Sequence, residues 1–226
     1  MSSDKELESL ESDLQKHLYD ARKSYKKAYL SEDSVANNPF AQFKKWYEEA
    51  EKSGLEEPNA MVIATVDEQS RPNTRTVLLK SFDEKGFVFF TNYKSQKAKE
   101  IEHNPHVSIH FLWLGLERQV KIRGTAKKIP LKDSMYYFFS RPTGSQLGAW
   151  VSHQSQVISS KALLVNEYEK LKQKFVNGEI PFPDFWGGYR IEADYFEFWQ
   201  GGDDRLHDRL VFERSEDNWQ MKRLSP

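Results

Sequence analysis

Apolar residues at the N-terminus recur at three- and four-residue steps, which is the period of one face of an α-helix. Ser3 and Glu6 have the spacing of a capping box ahead of them. The charged remainder and the terminal position indicate a helix that packs late, as a lid or across a subunit boundary. We therefore predict a mobile N-terminal helical segment over residues 1–30, with its apolar stripe at Leu7, Leu10, Leu14, Leu18, Ala21, Tyr25 and Ala28.

A second helix has clear start and stop signals. Asn38 is a suitable N-cap, Pro39 suits the first helical position, and Gly54 suits the position after the helix ends. The expected buried stripe consists of Phe40, Phe43, Tyr47 and Ala50.

From Ala60 onward the period changes to two, and short β-branched and aromatic runs alternate with polar turns. The first three runs read as an antiparallel meander. The predicted elements are strands Ala60–Val66, Thr74–Phe82 and Gly86–Thr91, a helix Ser95–His103, a half-buried strand through Val107 to Trp113, and a strand Glu117–Ile129.

Two more helices and three strands complete the predicted order. The helix from Leu131 must end near Arg141, because Pro142 disfavours the helical conformation in the residue before it. Mostly consecutive antiparallel strands with inserted helices indicate an α+β protein whose sheet closes into a barrel. We expect one domain, 1–226, whose later elements are helices Leu131–Ser140 and Ser159–Phe175 and strands Tyr189–Trp199, His207–Glu213 and Trp219–Arg223.

Composition narrows the possible partners and locations. The chain has 226 residues with 33 basic and 34 acidic side chains, so its net charge of −1 does not favour a nucleic-acid partner. It has no cysteine, which excludes disulfides and thiolate chemistry and suits a reducing cytosol. The most apolar run, Ile109 to Leu116, is too short to span a membrane. We expect a soluble, cytoplasmic protein without a membrane partner.

Three groups of cationic side chains are candidates for binding anions. In the C-terminal group, Gly201-Gly202 is predicted to form a turn, after which Arg205, His207 and Arg209 would share one strand face beside Trp199. Such a face suits a flat, anionic, aromatic ligand, since guanidinium groups stack on rings and pair with phosphate. The alternative is a solvated charge ladder on a surface hairpin.

The other two groups lie on the predicted strand Thr74–Phe82 and at the end of the predicted helix Leu131–Ser140. Arg75 and Lys80 bound an apolar strand and should point to opposite faces, which suits two anionic ligands or simply two solvated strand ends. Tyr137 and Arg141 lie one helical turn apart, and the chain is expected to leave the helix so that Ser145 joins them around a phosphate-sized anion. A basic cap on the helix C-terminus is the alternative there.

Several familiar sites are missing from the sequence. There is no glycine-rich phosphate loop, so a nucleotide would be held by side chains. His106 and His110 would share a strand face, but no third ligand has suitable spacing, and we predict no metal site.

Several motifs, in order, resemble the pyridoxamine (pyridoxine) 5′-phosphate oxidase family. The resemblance extends from about Arg22 to Pro226. Its motifs are Arg75-Thr-Val-Leu-Leu-Lys80, Leu116-Glu-Arg-Gln-Val120, Ser140-Arg-Pro142, Ser145-Gln-Leu-Gly-Ala-Trp150, Phe185-Trp-Gly-Gly188, Glu197-Phe-Trp-Gln-Gly201, Arg205-Leu-His-Asp-Arg209 and Arg223-Leu-Ser-Pro226.

The resemblance implies a homodimeric FMN-binding split β-barrel with two active sites at the subunit interface. It further implies a role in vitamin B6 metabolism: oxidation of the 4′ carbon of pyridoxamine or pyridoxine 5′-phosphate to give pyridoxal 5′-phosphate. Dioxygen would reoxidise the flavin and form hydrogen peroxide. The flavin would supply the redox chemistry and the protein the positioning.

The resemblance also assigns residues. FMN contacts are implied for Arg75, Thr76, Val77, Leu78, Leu79, Lys80, Phe90, Thr91, Gln96, Lys97, Gln119, Gln154, Ser155, Trp199 and Arg209. Substrate contacts are implied for Arg22, Tyr25, Lys80, Tyr137, Arg141, Ser145, Arg205, Leu206 and His207, of which Arg205 and His207 would orient the ring and assist proton loss.

The chain departs from the family at one cofactor position, where Gln96-Lys97 replaces the usual Arg-Lys. Because a neutral amide binds phosphate less strongly than a guanidinium, we expect FMN phosphate binding to depend more on Arg75 and Lys97.

Two other functions compete with the oxidase. One is a non-catalytic carrier of flavin or pyridoxal 5′-phosphate, which would not need a second phosphate site. The other is a different split-barrel flavoenzyme, such as a flavin reductase that uses a nicotinamide.

Overall fold

One antiparallel sheet carries most of the structure, a computed structural model that describes residues 13, 15–21, 23–152, 154–176, 178–216 and 218–226. In this part of the chain nine strands belong to the sheet. They are β1 (Ala60–Val66), β2 (Pro72–Leu78), β3 (Ser81–Asp83), β4 (Gly86–Asn92), β5 (His106–Trp113), β6 (Arg118–Lys128), β7 (Trp186–Gln200), β8 (Asp208–Ser215) and β9 (Asn218–Leu224).

The helices lie between the strands, mostly where the periodicity predicts them. They are α1 (Pro39–Lys52), α2 (Gln96–His103), α3 (Leu131–Ser140), α4 (Thr143–Val151) and α5 (Lys161–Lys174). Asn38 caps α1 by accepting hydrogen bonds from the amides of Phe40 and Ala41, and Gly54 after it has the left-handed φ of 76°. The prediction of α1 is confirmed in its start and stop. Phe40, Phe43 and Ala50 of the predicted stripe are buried together with Trp46, whereas Tyr47 is only partly buried.

The strand order explains how the sheet curls into a half-barrel. Along the sheet the order is β2-β1-β5-β6-β7-β4-β3, so consecutive strands β2 and β3 lie at opposite ends of the path. The predicted meander and the single strand Thr74–Phe82 are therefore wrong. The chain breaks at Leu79-Lys80, where the Leu79 amide donates to the Asn59 carbonyl and the Lys80 amide donates to the Val88 carbonyl, 2.9 Å away. That link brings β2 next to β4.

Aromatic side chains fill the barrel and the space under α1. Phe43 is fully buried, and its ring centroid lies 4.9 Å from those of Phe82 and Phe87 and 5.0 Å from that of Phe111. Edge-to-face packing of this kind adds to the burial of large apolar area. A second, smaller cluster beside the barrel packs α3 and α4 on the start of β7, through Phe138, Leu147 and Trp186.

The chain leaves α3 at Arg141, as predicted, but it enters a new helix two residues later, which the sequence analysis did not predict. Arg141 is extended, Pro142 precedes the first residue of a new helix, and α4 runs from Thr143. Two glycines, Gly144 and Gly148, weaken its helical signal in the sequence. Ser145 is thereby placed on the first turn of α4, facing back toward α3.

The N-terminal helix prediction is wrong beyond residue 20. Residues 15–20 are helical, whereas Tyr25 and Ala28 lie in an irregular segment. In this irregular segment a side chain replaces helical hydrogen bonds, since the amides of Lys26 and Lys27 donate to the Glu117 carboxylate. Leu7, Leu10, Leu14, Arg22 and the Ser3–Glu6 capping box lie outside the described residues.

The C-terminal hairpin also differs from its prediction. A 3₁₀ turn spans Asp203–Arg205, with left-handed φ values of 51° at Asp204 and 64° at Arg205, and β8 begins only at Asp208. Arg205, His207 and Arg209 therefore do not share a strand face. Position 201 requires glycine because Tyr25 packs closely against its backbone: a Cβ there would lie 2.7 Å from the Cβ of Tyr25.

Candidate active site

The largest group of predicted phosphate ligands lines one cavity of about 450 Å³, named here the Arg141 cavity. It lies between the end of β2, the end of β4, and helices α3 and α4. Its polar lining includes Thr76, Lys80, Thr91, Lys97, Tyr137, Arg141, Ser145 and Gln154, and its apolar lining includes Val77, Leu78, Phe90 and Trp186. The structure thus brings Lys80 together with Tyr137, Arg141 and Ser145, as predicted. Leu79 instead points into the core and does not line this cavity.

Arg141 carries the strongest sign that this cavity takes an anion. Its guanidinium lies over the Trp186 ring at 4.7 Å, and its Nη1 is buried without a hydrogen-bond partner among the described residues. Burial lowers the pKa of Arg141, an effect that Tyr137 partly opposes. Because a buried unpaired cation is costly, a phosphate at this point would satisfy a donor that the protein leaves open.

A stack of aromatic rings forms the wall behind Arg141. The centroids of Phe90 and Tyr137 are 4.0 Å apart and those of Phe90 and Trp186 are 5.3 Å apart, with rings nearly parallel. This packing fixes the Tyr137 ring, and with it the phenol that lines the cavity.

The Arg75 cavity, of about 390 Å³, adjoins the first one. Thr76, Lys97 and Gln154 line both cavities, while Arg75, Gln96 and Ser155 line only this one. Arg75 and Lys80 therefore serve different cavities, which matches their predicted opposite directions. The two cavities offer neighbouring positions for two anionic groups.

Glu100 organises the cations of the Arg75 cavity, and the sequence analysis did not single it out. Its carboxylate is buried and accepts hydrogen bonds from Arg75 Nη2 at 3.1 Å, Asn73 Nδ2 at 2.7 Å and Gln96 Nε2 at 2.9 Å, as well as from Thr65. Burial alone would raise its pKa, but these donors and the Arg75 charge outweigh it and lower the pKa. The i,i+4 spacing of Gln96 and Glu100 on α2 was the available signal.

Lys97 is almost fully buried between the two cavities. Its Nζ lies 3.2 Å from both Thr91 Oγ1 and Gln154 Oε1, neither of which is charged. Burial, followed by repulsion from Arg75, lowers the pKa of Lys97 to about 8. The group is thus poised to respond to an incoming anion, because an anion favours the charged form of the amine.

A third space, the Tyr25 cavity of about 530 Å³, is lined by Tyr25, Gly202, Arg205 and His207 among others. The His207 ring lies 4.7 Å from the Trp199 ring and 5.8 Å from the Tyr25 ring. His207 Nδ1 accepts from the Gly202 amide at 3.1 Å, so the neutral ring is assigned its proton on Nε2. Leu206, also predicted to contact substrate, is 74% exposed and does not line this cavity.

Gln119, Trp199 and Arg209 lie side by side on strands β6, β7 and β8. Gln119 pairs with His110 at 3.1 Å, and Arg209 is held by Glu197 at 2.8 Å. Three predicted flavin contacts therefore cluster next to the Tyr25 cavity.

A single chain does not bring all the predicted flavin residues together. Thr91, in the Arg141 cavity, pairs with Gly187 at the start of β7, and Trp199 lies 12 positions later on the same strand. At ~3.3 Å per residue this corresponds to about 40 Å of strand, more than a mononucleotide spans. Two half-sites thus lie near opposite ends of β7.

Two negative findings apply to the described residues. No helix there is long and apolar enough to cross a bilayer. Nor do those residues contain a cluster of three or more His, Asp or Glu side chains arranged to hold a metal ion.

The sequence matches family models and known proteins over most of its length. The family model described as pyridoxamine 5′-phosphate oxidase matches residues 47–175, and that of the pyridoxine 5′-phosphate oxidase C-terminal dimerisation region matches residues 186–226. A pyridoxine/pyridoxamine 5′-phosphate oxidase 2 from Hydrogenovibrio crunogenus is 62% identical over 93% of this chain and 99% of its own. One from Crocosphaera subtropica is 56% identical over 91% of this chain and 97% of its own.

Solved structures show the same architecture. The crystal structure of PhzG from Burkholderia lata 383 in complex with tetrahydrophenazine-1-carboxylic acid superposes with a TM-score of 0.84 at 27% identity, covering 90% of this chain and all of that one. A pyridoxamine 5′-phosphate oxidase-related, FMN binding protein from Nostoc punctiforme superposes with a TM-score of 0.69 at 15% identity, over 85% of this chain and all of that one, which shows the split-barrel fold. By its sequence matches over almost its whole length, the chain belongs to the pyridoxamine 5′-phosphate oxidase family.

Proposed function

We propose that this protein uses FMN to oxidise pyridoxamine 5′-phosphate and pyridoxine 5′-phosphate to pyridoxal 5′-phosphate. The observation that carries the proposal is the unpaired, buried Arg141 Nη1 in a cavity that Lys80, Tyr137 and Ser145 also line. A second cationic cavity adjoins it. Two phosphorylated planar molecules need two such sites next to each other.

The residues of the Arg75 cavity fit the FMN phosphate. Arg75 and Lys97 would supply its charge and Gln96 and Ser155 neutral contacts, with Glu100 holding Arg75 and Gln96 in place. FMN, when bound, supplies a two-electron acceptor that dioxygen can reoxidise. The alcohol would react as pyridoxine phosphate plus O2 giving pyridoxal phosphate plus H2O2. The amine also consumes water and releases ammonia.

The protein's own contribution is to hold the substrate in register. Arg141, Lys80 and Ser145 would fix its phosphate at one end, while His207 and Arg205 would contact the pyridine ring at the other. In the tautomer that Gly202 imposes, His207 would donate from Nε2 to a substrate oxygen. Holding both ends places the 4′ carbon against the flavin in a reactive position.

Those two ends belong to different half-sites, so we propose that two copies of the chain complete each active site. One copy would provide the Arg75 and Arg141 cavities. The other would provide Gln119, Trp199, Arg209 and the Tyr25 cavity. The match of residues 186–226 to a dimerisation region supports this arrangement. We place the reaction in the cytoplasm, in keeping with the absence of cysteine.

Anaerobic mixing distinguishes the oxidase from its two rivals. Protein loaded with FMN should lose its flavin absorbance and form pyridoxal 5′-phosphate on addition of pyridoxamine 5′-phosphate, and admission of air should restore the absorbance with formation of hydrogen peroxide. A carrier would show binding without loss of absorbance. A flavin reductase would bleach with a nicotinamide and not with the B6 phosphate, and either result would overturn the proposal.

A further inference from the structure

Residues 23–30 have no regular secondary structure, and the first three of them, Lys23, Ser24 and Tyr25, line the Tyr25 cavity. A segment of this kind keeps its position only through contacts with the rest of the chain. The most buried polar side chain among those contacts is that of Glu117, which is 2% exposed. Glu117 lies between the Leu114–Leu116 turn and β6, in the left-handed conformation with a φ of 56°. That conformation is unfavourable for a glutamate and turns its side chain toward the segment.

The Glu117 carboxylate caps two consecutive backbone amides. Its Oε2 accepts from Lys26 N at 2.9 Å and from Lys27 N at 3.1 Å. Among the described residues, its other oxygen contacts the exposed ammonium of Lys23, at 3.7 Å. One oxygen atom therefore does most of the anchoring, and the amides flank Tyr25 on its C-terminal side.

Glu117 also holds the surface on which Tyr25 rests. The Glu117 carbonyl accepts from Gly201 N at 2.8 Å and from Gln200 Nε2 at 3.2 Å. The Tyr25 side chain lies directly on Gly201, where no Cβ would fit, and its ring meets those of Trp199 and His207 edge-on, with centroids 5.8 Å away in each case. A single residue thus fixes both sides of the contact between Tyr25 and the cavity.

The remaining polar contacts near Tyr25 are more exposed, whereas Leu30, at the end of the segment, is buried in the hydrophobic core. Ser24 donates to Asp203 at 2.8 Å, and the Lys27 ammonium donates to the Gly115 carbonyl at 2.6 Å, both at the surface. Leu30 N donates to Asp208 at 2.9 Å at the far end of the segment. Exposed pairs of this kind contribute little, so the buried carboxylate should decide whether Tyr25 stays in place.

We infer that Glu117 is a positioning residue that holds Tyr25 over the bound substrate. The inference rests on the proposed function, because it assigns the Tyr25 cavity to the pyridine ring. Glu117 itself touches neither substrate nor cofactor; it acts through the segment. Releasing the segment would weaken binding of the substrate and of the transition state equally. A loss of this kind raises KM and leaves kcat nearly unchanged.

Glu117→Ala and Glu117→Gln form a matched pair for the test. The alanine variant removes the acceptor, and we expect its KM for pyridoxamine 5′-phosphate to rise about ten- to a hundredfold, with kcat changed by less than about twofold. The glutamine variant keeps an oxygen for both amides, so its KM should stay within about threefold of wild type. A glutamine variant as impaired as the alanine variant would overturn the inference.

A double-mutant cycle tests whether the effect passes through Tyr25. If it does, Tyr25→Ala with Glu117→Ala should raise KM no further than Tyr25→Ala alone. If the double variant instead raised KM by the product of the two separate factors, Tyr25 and Glu117 would act independently, which would contradict the inference. Should Glu117→Ala not fold, Glu117→Asp serves instead, because its shorter side chain withdraws the acceptor and should raise KM in the same direction.

Trypsin provides a readout that does not depend on turnover. Cleavage after Lys23, Lys26 and Lys27, followed by mass spectrometry on the FMN-loaded protein, should accelerate at least about tenfold in Glu117→Ala and not in Glu117→Gln. Equal cleavage in wild type and Glu117→Ala would overturn the anchoring. If the wild-type protein oxidised no B6 phosphate, the proposed function would be wrong. The comparison of cleavage rates would still test whether Glu117 anchors residues 23–30.

Discussion

The affinity of the apoprotein for FMN should fall as pH rises from 7 to 9, and Lys97 should be the cause. Its pKa of about 8 in the apoprotein means that the amine is mostly charged at pH 7 and mostly neutral at pH 9. A bound phosphate would hold the proton, so above pH 8 binding must be accompanied by proton uptake. The charge of the neighbouring Glu100 stays constant, because its lowered pKa keeps the carboxylate ionised.

The magnitude follows from the protonated fraction. That fraction falls from about 0.9 at pH 7 to about 0.1 at pH 9 for a pKa near 8, so the observed association constant should fall about tenfold, most of it above pH 8. The phosphate adds nothing in this range, since its second pKa is near 6 and it stays a dianion. Titration of apoprotein with FMN, followed by quenching of flavin fluorescence, measures the profile.

Two variants assign that profile to one amine. Lys97→Gln should bind FMN more weakly and with no slope between pH 7 and 9. Lys99→Gln, on the exposed face of α2, should keep the wild-type slope. A flat profile for wild type, or an unchanged slope in Lys97→Gln, would refute the reasoning.

Three further predictions concern the two half-sites. Arg205→Ala or His207→Ala should lower turnover roughly thirty- to a thousandfold without releasing FMN, because loss of a transition-state contact costs about 2–4 kcal/mol. Steady-state kinetics and the flavin content of the purified variants test this prediction, and wild-type rates would contradict it. Arg75→Ala should weaken FMN binding by about 1.5–3 kcal/mol and leave Glu100 with one cationic partner fewer, which fluorescence titration and thermal unfolding would detect. Dilution of the dimer should release FMN and added FMN should restore the dimer, since the two equilibria are linked; sedimentation showing a monomer with undiminished FMN affinity would exclude that linkage.

Local signals predicted the elements whose structure is decided locally. Asn38, Pro39 and Gly54 fix α1 through their own backbone preferences, and strand β1 has the bounds that alternation gives. The phosphate group of Tyr137 and Arg141 was also visible, because one helical turn separates the two side chains. The motifs that resemble the oxidase family supplied what periodicity could not, namely the family and its cofactor.

Long-range contacts decided the features that were predicted wrongly. The left-handed Asp204 and Arg205 delay β8, and no alternation pattern reveals them because neither is glycine. Tyr25 leaves its helical pattern because Glu117, 92 positions away, takes the amides next to it. Glu100 was overlooked as one of 34 acidic residues, and only the folded chain places it among Arg75, Gln96 and Asn73.

The proposal that two copies share each active site can be tested by mixing two inactive variants. Arg141→Ala disables one half-site and His207→Ala the other, so a dimer containing one of each has one damaged site and one intact site. Random exchange of equal amounts makes half of the dimers mixed, and activity should recover to about a quarter of wild type. The assay is formation of pyridoxal 5′-phosphate from pyridoxamine 5′-phosphate after co-refolding with FMN. Recovery to that level is the expected result, and activity no higher than that of either variant alone would contradict an active site built from two chains.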